Sequence, residues 1–389
     1  MKIYKSNLYE TLSLVSFSLY FIFNFIDRSI SNIFLLIALF ICLIDFKRLF
    51  TAIKDNYKLV SAILLFSIYI SLIGFYHGSP ISELDNYYRF LLLLPLLSIT
   101  YNERYVTIVL LVCASIGLVH AIYTNAFFDD SFRLQGTANT AITYAHMCAT
   151  LFMVCLYYIF YRDNRSLLLI ISAVIYLALT IATETRGPII GITIVFLYLA
   201  FLMSKKEKSE LSFKIPLVIL SAILISVMTL PNNLGERIKE IAMIDLTKPL
   251  EITNYAGESI YLRERVYYFV FWANEIQDNY TFGIGPHNLK TRMAESLNEQ
   301  EITKVQTTDH LHNEYIDITL KFGFLSVILL FYIYYLIIKT KDNNVSVLLN
   351  ILMIMLISSQ MTQSQFSHHQ AITFFITLFY FLRSNNKHS

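Results

Sequence analysis

A short segment with two histidines, residues 309–314, holds the first candidate for catalysis. Its residue His312 directly precedes a long apolar run. An imidazole has an unperturbed pKa of about 6.5, so it can accept a proton at neutral pH. We therefore consider His312 a candidate general base, with His310 and Asn313 beside it as candidate supporting residues. The alternative is an interfacial histidine whose hydrogen bonds only help this segment to fold.

Arginines form the second group of candidates, because a guanidinium can bind phosphate oxygens with two parallel hydrogen bonds. Arg186 lies between two apolar runs, where its charge would reach the depth of the lipid headgroups. Arg133 occupies a similar position before an earlier apolar run. The alternative for Arg186 is a side chain that extends to the interface or pairs with Glu184.

Two further arginines, Arg263 and Arg265, bracket Glu264 at the head of residues 261–276, a segment with apolar residues at helical spacing. At that spacing the two arginines point to different faces of a helix, so only one can easily face a site. Glycines and a proline at residues 283–286 are expected to break the chain direction after this helix. The alternative is a charged turn in contact with water.

A metal site is not expected. His310 with His312, and His368 with His369, are close in sequence, but neither pair has the spacing of His-Glu-x-x-His, and no third ligand is identifiable. Nucleotide-binding loops, nucleophile elbows and dinucleotide fingerprints are also missing from the sequence, so no cofactor is expected. Arginines and a histidine suggest attack on a lipid-linked pyrophosphate, because arginine can stabilise the charged leaving group in place of a divalent cation.

The elements that must position these residues are strongly apolar. The chain has 389 residues, of which 56% are hydrophobic and 15% charged, and its mean hydropathy is +0.55. Soluble domains carry about 25% charged residues, so this composition predicts a membrane protein. A net charge of +2 without a basic stripe gives no indication of nucleic-acid binding. The four cysteines lie in apolar runs and predict no disulfide framework.

A bilayer core requires roughly 20 apolar residues per helix. Twelve runs of this kind predict an all-α polytopic membrane protein with about 12 transmembrane helices. The first run lacks a small-residue cleavage site and is expected to remain as a span. The predicted centres are Phe17, Ile37, Leu65, Leu94, Cys113, Phe152, Val174, Val195, Ile223, Leu329, Met353 and Phe375.

The distribution of Lys and Arg predicts the orientation. With the N-terminus in the cytoplasm, seventeen basic residues fall on the cytoplasmic side and four in the short loops opposite. Both termini are therefore expected to be cytoplasmic. The predicted organisation is spans 1–9 in residues 1–231, a long, partly helical periplasmic loop in residues 232–311, and spans 10–12 in residues 312–389. His312 and Gly323, eleven residues apart, are expected on one face of span 10.

Four short motifs in this layout resemble the bacterial O-antigen ligases and the related O-antigen polymerases and protein O-oligosaccharyltransferases. The histidine motif is His-Asn, nine residues, then Gly323, followed by Ser326 where the family usually has Gly, Thr or Tyr. The others are Arg186 with Ile190 four residues on, Arg265 with an aromatic segment leading to Gly283-Ile284-Gly285, and the Arg-Leu-x-Gly turn at Arg133.

The resemblance implies a membrane glycosyltransferase of the GT-C class. Such an enzyme transfers O-antigen from undecaprenyl diphosphate to a sugar hydroxyl of lipid A-core, without metal and with inversion at the anomeric carbon. His312 would be the base, and Arg186 and Arg265 would bind the diphosphate. The location implied is the bacterial inner membrane, with the site on the periplasmic side.

Two alternatives remain at this point. An O-antigen polymerase would use the same donor and add the glycan to another lipid-linked glycan; the single large loop favours a ligase. A transporter or flippase would place ionisable groups near the middle of the bilayer, often in two related halves. The predicted spans carry few charges, Lys321 being the main exception, and the two halves differ in their loops.

Overall fold

The computed structural model describes residues 2–99, 103–127, 140–185, 187–205, 221, 260–299 and 308–384, and the described elements are helices. The first half of the chain contains α1 Lys2–Phe23, α2 Arg28–Ile44, α3 Phe46–Asp55, α4 Tyr57–Tyr76, α5 Ile81–Leu84, α6 Arg89–Leu92, a 3-10 helix Leu94–Ser98, α7 Glu103–Phe127, α8 Ala141–Leu156, α9 Leu167–Ala182 and α10 Gly187–Lys205.

The described residues of the second half form a further set of helices. They are α11 Ile260–Asn279, a 3-10 helix Pro286–Asn288, α12 Leu289–Glu299, α13 Glu314–Phe322, α14 Phe324–Ile338, α15 Asn343–Thr362, a 3-10 helix Gln365–Ser367 and α16 His369–Ser384.

The described part of the chain is all-helical, and its apolar helices make the chain a polytopic membrane protein. Five described helices are long and apolar enough to cross a bilayer, and a sixth span is obtained if the bent pair α2 and α3 counts as one. Shorter apolar helices lie at Leu8–Phe23, Arg89–Ser98, Leu167–Ala182 and Phe324–Ile338. Each predicted span centre except Ile223 falls in a described helical segment, and Ile223 lies outside the described residues. The number of spans, predicted as about twelve, stays a prediction.

The helix α8 is the centre of the bundle. It continues into a π-helical turn, Tyr157–Tyr161, and 94% of its apolar stretch is buried. It packs against α9, α10, α15 and α16. Small side chains on this helix, such as Ala145 and Cys148, are fully buried and let neighbouring helices approach closely. All four cysteines are buried free thiols.

The axes of α2 and α3 differ by 90°, and the bend lies at Asp45. The Asp45 side chain accepts a hydrogen bond from the Arg48 N–H and begins the new helix. Phe46 and Phe50 on α3 are exposed, and so are its lysines Lys47 and Lys54. A short helix with exposed aromatic rings and lysines is typical of the bilayer interface.

The helix predicted at residues 261–276 is confirmed as α11, which ends at Asn279. The predicted break after it is also confirmed, because Gly283 and Gly285 both have positive φ. The prediction that His312 and Gly323 lie on one face of a helix is wrong. α13 starts only at Glu314, and Gly323, with φ 80° and ψ 170°, separates α13 from α14. His312 and Gly323 thus flank a nine-residue helix instead of lying on one.

Gly323 offers a test of this break, because its backbone region is accessible essentially only to glycine. A Cβ at residue 323 would also overlap the backbone carbonyl of Thr281. We expect Gly323→Ala to lower the melting temperature of the purified protein strongly. Gly78 is a matched control, since it also has positive φ but open space around its Cβ position. Equal losses in Gly78→Ala and Gly323→Ala would contradict the close contact.

Candidate active site at the histidine loop

Residues 308–313, here called the histidine loop, are anchored by a buried ion pair on α13. The Lys321 ammonium donates to Asp317 Oδ2 at 2.8 Å and to the Asp309 carbonyl at 2.8 Å. The other Asp317 oxygen accepts the backbone N–H of Leu311 at 2.9 Å. Both charged side chains are buried. The pair therefore ties the start and the middle of the loop to one helix.

The end of the histidine loop is fixed by Asn313, the N-cap of α13. Its side-chain oxygen accepts hydrogen bonds from the N–H groups of Tyr315 and Ile316, and its amide nitrogen donates to the Met361 carbonyl at 3.2 Å. These bonds satisfy the open donors of the first helical turn. Asn313, a candidate supporting residue, thus lies beside the site as the residue that begins α13.

A hydrophobic cluster holds α11 against the histidine loop and α13. The indole N–H of Trp272 adds a hydrogen bond to the Thr319 hydroxyl at 2.9 Å. The arginine-bearing helix and the histidine loop consequently form one packed unit. The buried members of the cluster are Tyr267, Tyr268, Phe271, Ile284, Leu289, Met293, Leu311 and Leu320.

The ring of His312 is oriented by an amide. His312 Nδ1 lies 2.8 Å from Gln363 Oε1, and Gln363 Nε2 lies 2.5 Å from His368 Nε2. With Gln363 Oε1 as the acceptor, this hydrogen-bond network assigns the proton of His312 to Nδ1 and the lone pair to Nε2. The backbone of His312 has φ 55°, a conformation that is costly for a non-glycine residue and clusters at functional sites.

The surroundings of His312 favour the neutral imidazole. Burial, followed by the positive charge of Arg265 and by His310, lowers the pKa of His312 to about 3. Burial also lowers the pKa of His368, to about 4. Both rings are therefore uncharged at neutral pH.

Arg265, in the second turn of α11, joins the two other parts of the site. One amino nitrogen of its guanidinium donates to the His312 carbonyl, and the other donates to the Thr362 carbonyl at 2.8 Å. Thr362 is the last residue of α15, where helix carbonyls lack partners within the helix. The positive charge of Arg265 is thus held beside His312. Arg263 lies in the first turn of α11, and its side chain is outside the described residues.

Arg186 and Arg133 lie outside the described residues. The residue after Arg186, Gly187, begins α10 and lies next to Thr362. A Cβ at Gly187 would lie 2.6 Å from the Thr362 hydroxyl and 2.9 Å from His146 Nε2. Gly187 therefore contacts the same residue whose carbonyl accepts a hydrogen bond from Arg265.

His310 lies next to the candidate base. Its ring centroid is 4.4 Å from that of His312 and 5.6 Å from that of His368. His310 Nδ1 is 2.7 Å from Asp309 Oδ1, and this hydrogen bond holds the pKa of Asp309 below its usual range. In the part of the chain that the structure describes, no three His, Cys, Asp or Glu side chains are arranged to hold a metal ion.

Three residues of the site were not predicted as part of it. Thr362 and Gln363 have no motif, and His368 was considered only for metal binding. They lie at the last residue of α15 and in the short polar segment after it, which is rich in amides and hydroxyls and separates two apolar runs. That composition was the available signal. The predicted residues brought together are His310, His312, Asn313 and Arg265.

The fold and the site define a multi-pass helical membrane protein with an arginine and histidine site at one end of its helices. Residues 171–332 match the family model described as O-Antigen ligase, which confirms the resemblance to that family. Members of the family are membrane glycosyltransferase-like enzymes. The match contains Arg186, Arg265 and His312 and ends before Gln363. No curated protein sequence matches the chain.

The buried ion pair gives a second prediction. Lys321→Met would leave the Asp317 carboxylate buried without its cation, so we expect a loss of about 3–5 kcal/mol in the free energy of unfolding. The double variant Asp317→Asn with Lys321→Met should recover part of this loss, because no charge remains buried. Lys290→Met, at an exposed lysine, is the control. Chemical denaturation in detergent measures all three, and a near-neutral Lys321→Met would contradict the anchoring role.

Proposed function

We propose that this protein is an O-antigen ligase. It transfers O-antigen polysaccharide from undecaprenyl diphosphate to a sugar hydroxyl of lipid A-core, at the periplasmic face of the bacterial inner membrane. The observation that carries the proposal is the contact between Arg265 and His312 within the segment that matches the family model. The proposed architecture is GT-C-like, with about twelve spans divided as residues 1–231, 232–311 and 312–389.

The proposed chemistry is one direct displacement. Nε2 of His312 takes the proton from the acceptor hydroxyl, whose oxygen attacks the anomeric carbon. The bond from that carbon to the diphosphate oxygen breaks, and undecaprenyl diphosphate leaves with the electron pair. A single displacement inverts the configuration at the anomeric carbon. The role of Gln363 is to keep the proton on Nδ1, so that the lone pair of Nε2 is available.

The proposed diphosphate ligands are Arg265 and Arg186, with Arg133 and Arg263 as further candidates. Arginine charge can stabilise the leaving diphosphate without a metal ion. Support for Arg186 comes from its neighbour Gly187, which packs on Thr362. A diphosphate next to Arg265 would offset the charge that lowers the pKa of His312. His312 would then become a stronger base when the donor is bound.

Reconstitution tests the proposed reaction. Purified protein with lipid-linked O-antigen and lipid A-core, in the presence of a metal chelator, is expected to form lipid A-core carrying O-antigen. We expect His312→Ala to lose this transfer by at least about 10²-fold, since general-base catalysis contributes about 10²–10⁴-fold. His287→Ala, at an exposed histidine outside the site, is the matched control.

The acceptor that is used in this assay distinguishes an O-antigen ligase from an O-antigen polymerase. Elongation of lipid-linked glycan, with no product on lipid A-core, would assign a polymerase instead of a ligase. Full transfer by His312→Ala would remove His312 as the base. Absence of transfer to either acceptor would remove the proposed reaction.

The pH dependence of kcat/KM tests the lowered pKa of His312. Because the pKa of His312 is lowered to about 3, its neutral form persists at pH 6, where an unperturbed histidine would be only about one quarter neutral. We expect wild-type kcat/KM to stay nearly constant from pH 8 to pH 6.

Two substitutions at Gln363 extend this test. In Gln363→Glu a carboxylate beside Nδ1 of His312 favours the imidazolium. The acidic limb of the pH dependence of kcat/KM should therefore move to higher pH, while turnover is retained. Gln363→Leu should lower kcat about 10-fold or more, because the ring loses its oriented tautomer. An unchanged acidic limb in Gln363→Glu together with an unchanged kcat in Gln363→Leu would contradict the positioning role.

A further inference from the structure

A second polar site lies at the other end of the helices. α15 ends at Thr362 beside the histidine loop, and its 20 residues span about 30 Å. At its far end a cavity of about 740 Å³ opens, within the range of about 300–1,000 Å³ that is typical of ligand pockets. The walls come from the junction of α3 and α4, the end of α14 with the turn after it, and the last turn of α16. We call it the basic cavity.

Most of the charged residues that line the basic cavity are cationic. Lys58, Lys339, Lys341 and Arg383 line it, and Asp55 is the anionic residue among its lining residues. The three lysines are exposed. A surface with this excess of positive charge attracts an anion, and the field is stronger inside a concave wall than on a flat one.

The guanidinium of Arg383 forms the rigid part of the cavity. It donates to the Asn56 side-chain oxygen at 2.8 Å and to the carbonyls of Leu336 at 2.7 Å and Lys339 at 3.1 Å. These carbonyls belong to the end of α14, where helix carbonyls lack partners within the helix. Arg383 therefore connects α16, α14 and the start of α4, and it places a fixed positive charge in the wall.

The surroundings of the basic cavity are those of a lipid interface. α3, which lies at 90° to α2, ends at the cavity with Asp55. Phe46 is 69% exposed and Phe50 59% exposed on this helix, and Tyr57 at the start of α4 is 60% exposed. Such rings are well placed to contact acyl chains, whereas a soluble anion would gain nothing from them. The predicted topology places this end in the cytoplasmic leaflet, which carries anionic lipids.

We propose that the basic cavity binds the phosphate headgroup of an anionic membrane lipid, with the acyl chains lying against the exposed rings of α3. Lys58 and Lys341 contact the phosphate, and Arg383 provides the fixed charge behind it. The bound lipid connects the ends of α3, α4, α14 and α16. This site is separate from the histidine loop and does not depend on the proposed glycosyl transfer.

Lipid binding to the purified full chain tests the proposal. Native mass spectrometry from detergent, with added phosphatidylglycerol or phosphatidylcholine, measures the bound fraction of each lipid. We expect at least a fivefold preference for phosphatidylglycerol. Lys58→Gln with Lys341→Gln should remove most of this preference, and Arg383 is left intact because it connects three helices. Lys47→Gln with Lys54→Gln is the matched control, since it removes the same charge from exposed lysines of α3 outside the cavity lining.

The outcomes separate the sources of the anion. Loss of preference in the cavity variant but not in the control supports the proposal. Equal losses in both variants would indicate unspecific attraction to a basic surface and overturn it. Competition by glycerol phosphate or inorganic phosphate at equal concentration would indicate a site for soluble anions and overturn the proposal. Equal binding of phosphatidylglycerol and phosphatidylcholine would also overturn the proposal. Circular dichroism and the melting temperature of each variant establish that it is folded.

Discussion

The buried pair of Asp317 and Lys321 is the interaction on which the histidine loop depends. Burying two charges costs free energy that their mutual attraction repays only when further hydrogen bonds complete the arrangement. Here the Lys321 ammonium also binds the Asp309 carbonyl, and Asp317 also binds the Leu311 N–H. The pair therefore specifies position more than it adds stability. A nine-residue helix such as α13 would not form alone, and these contacts hold it in place.

Three separate parts of the chain meet at the candidate site, and two of them contribute the end of a helix. Asn313 caps the start of α13, and Arg265 satisfies the last carbonyl of α15. Gln363 follows α15 directly and orients His312. Open donors and acceptors at helix ends that are buried in the protein must find partners there, because water does not reach them. The same polar groups that complete the helices thus assemble the arrangement of arginine, amide and imidazole.

The two ends of the bundle use positive charge differently. At the histidine loop, Arg265 is held by two backbone carbonyls, and burial together with its charge keeps His312 neutral. At the basic cavity, Arg383 is held in a similar way by carbonyls of α14, but the neighbouring cations are exposed lysines. Lysine is a flexible point charge, whereas arginine has a planar group suited to oriented contacts. One end is therefore built for a defined chemical geometry and the other for attraction to the membrane surface.

The sequence by itself determined the class of fold and the types of residue at the site. Hydropathy located the helical segments because each apolar run must be buried in lipid or protein, and the spacing of apolar residues predicted α11. Motif and residue type singled out His312 and Arg265. Hydropathy reports which residues avoid water, but it does not report which helix ends meet.

Only the tertiary structure decided the partners of those residues. Gln363 is 51 residues away from His312, and Thr362 is 97 residues away from Arg265, so no local pattern connects them. The prediction that His312 and Gly323 share a helix face was wrong, because the backbone conformation of Gly323 ends α13. The sequence thus determined which chemical groups were available, and long-range packing determined which of them came into contact.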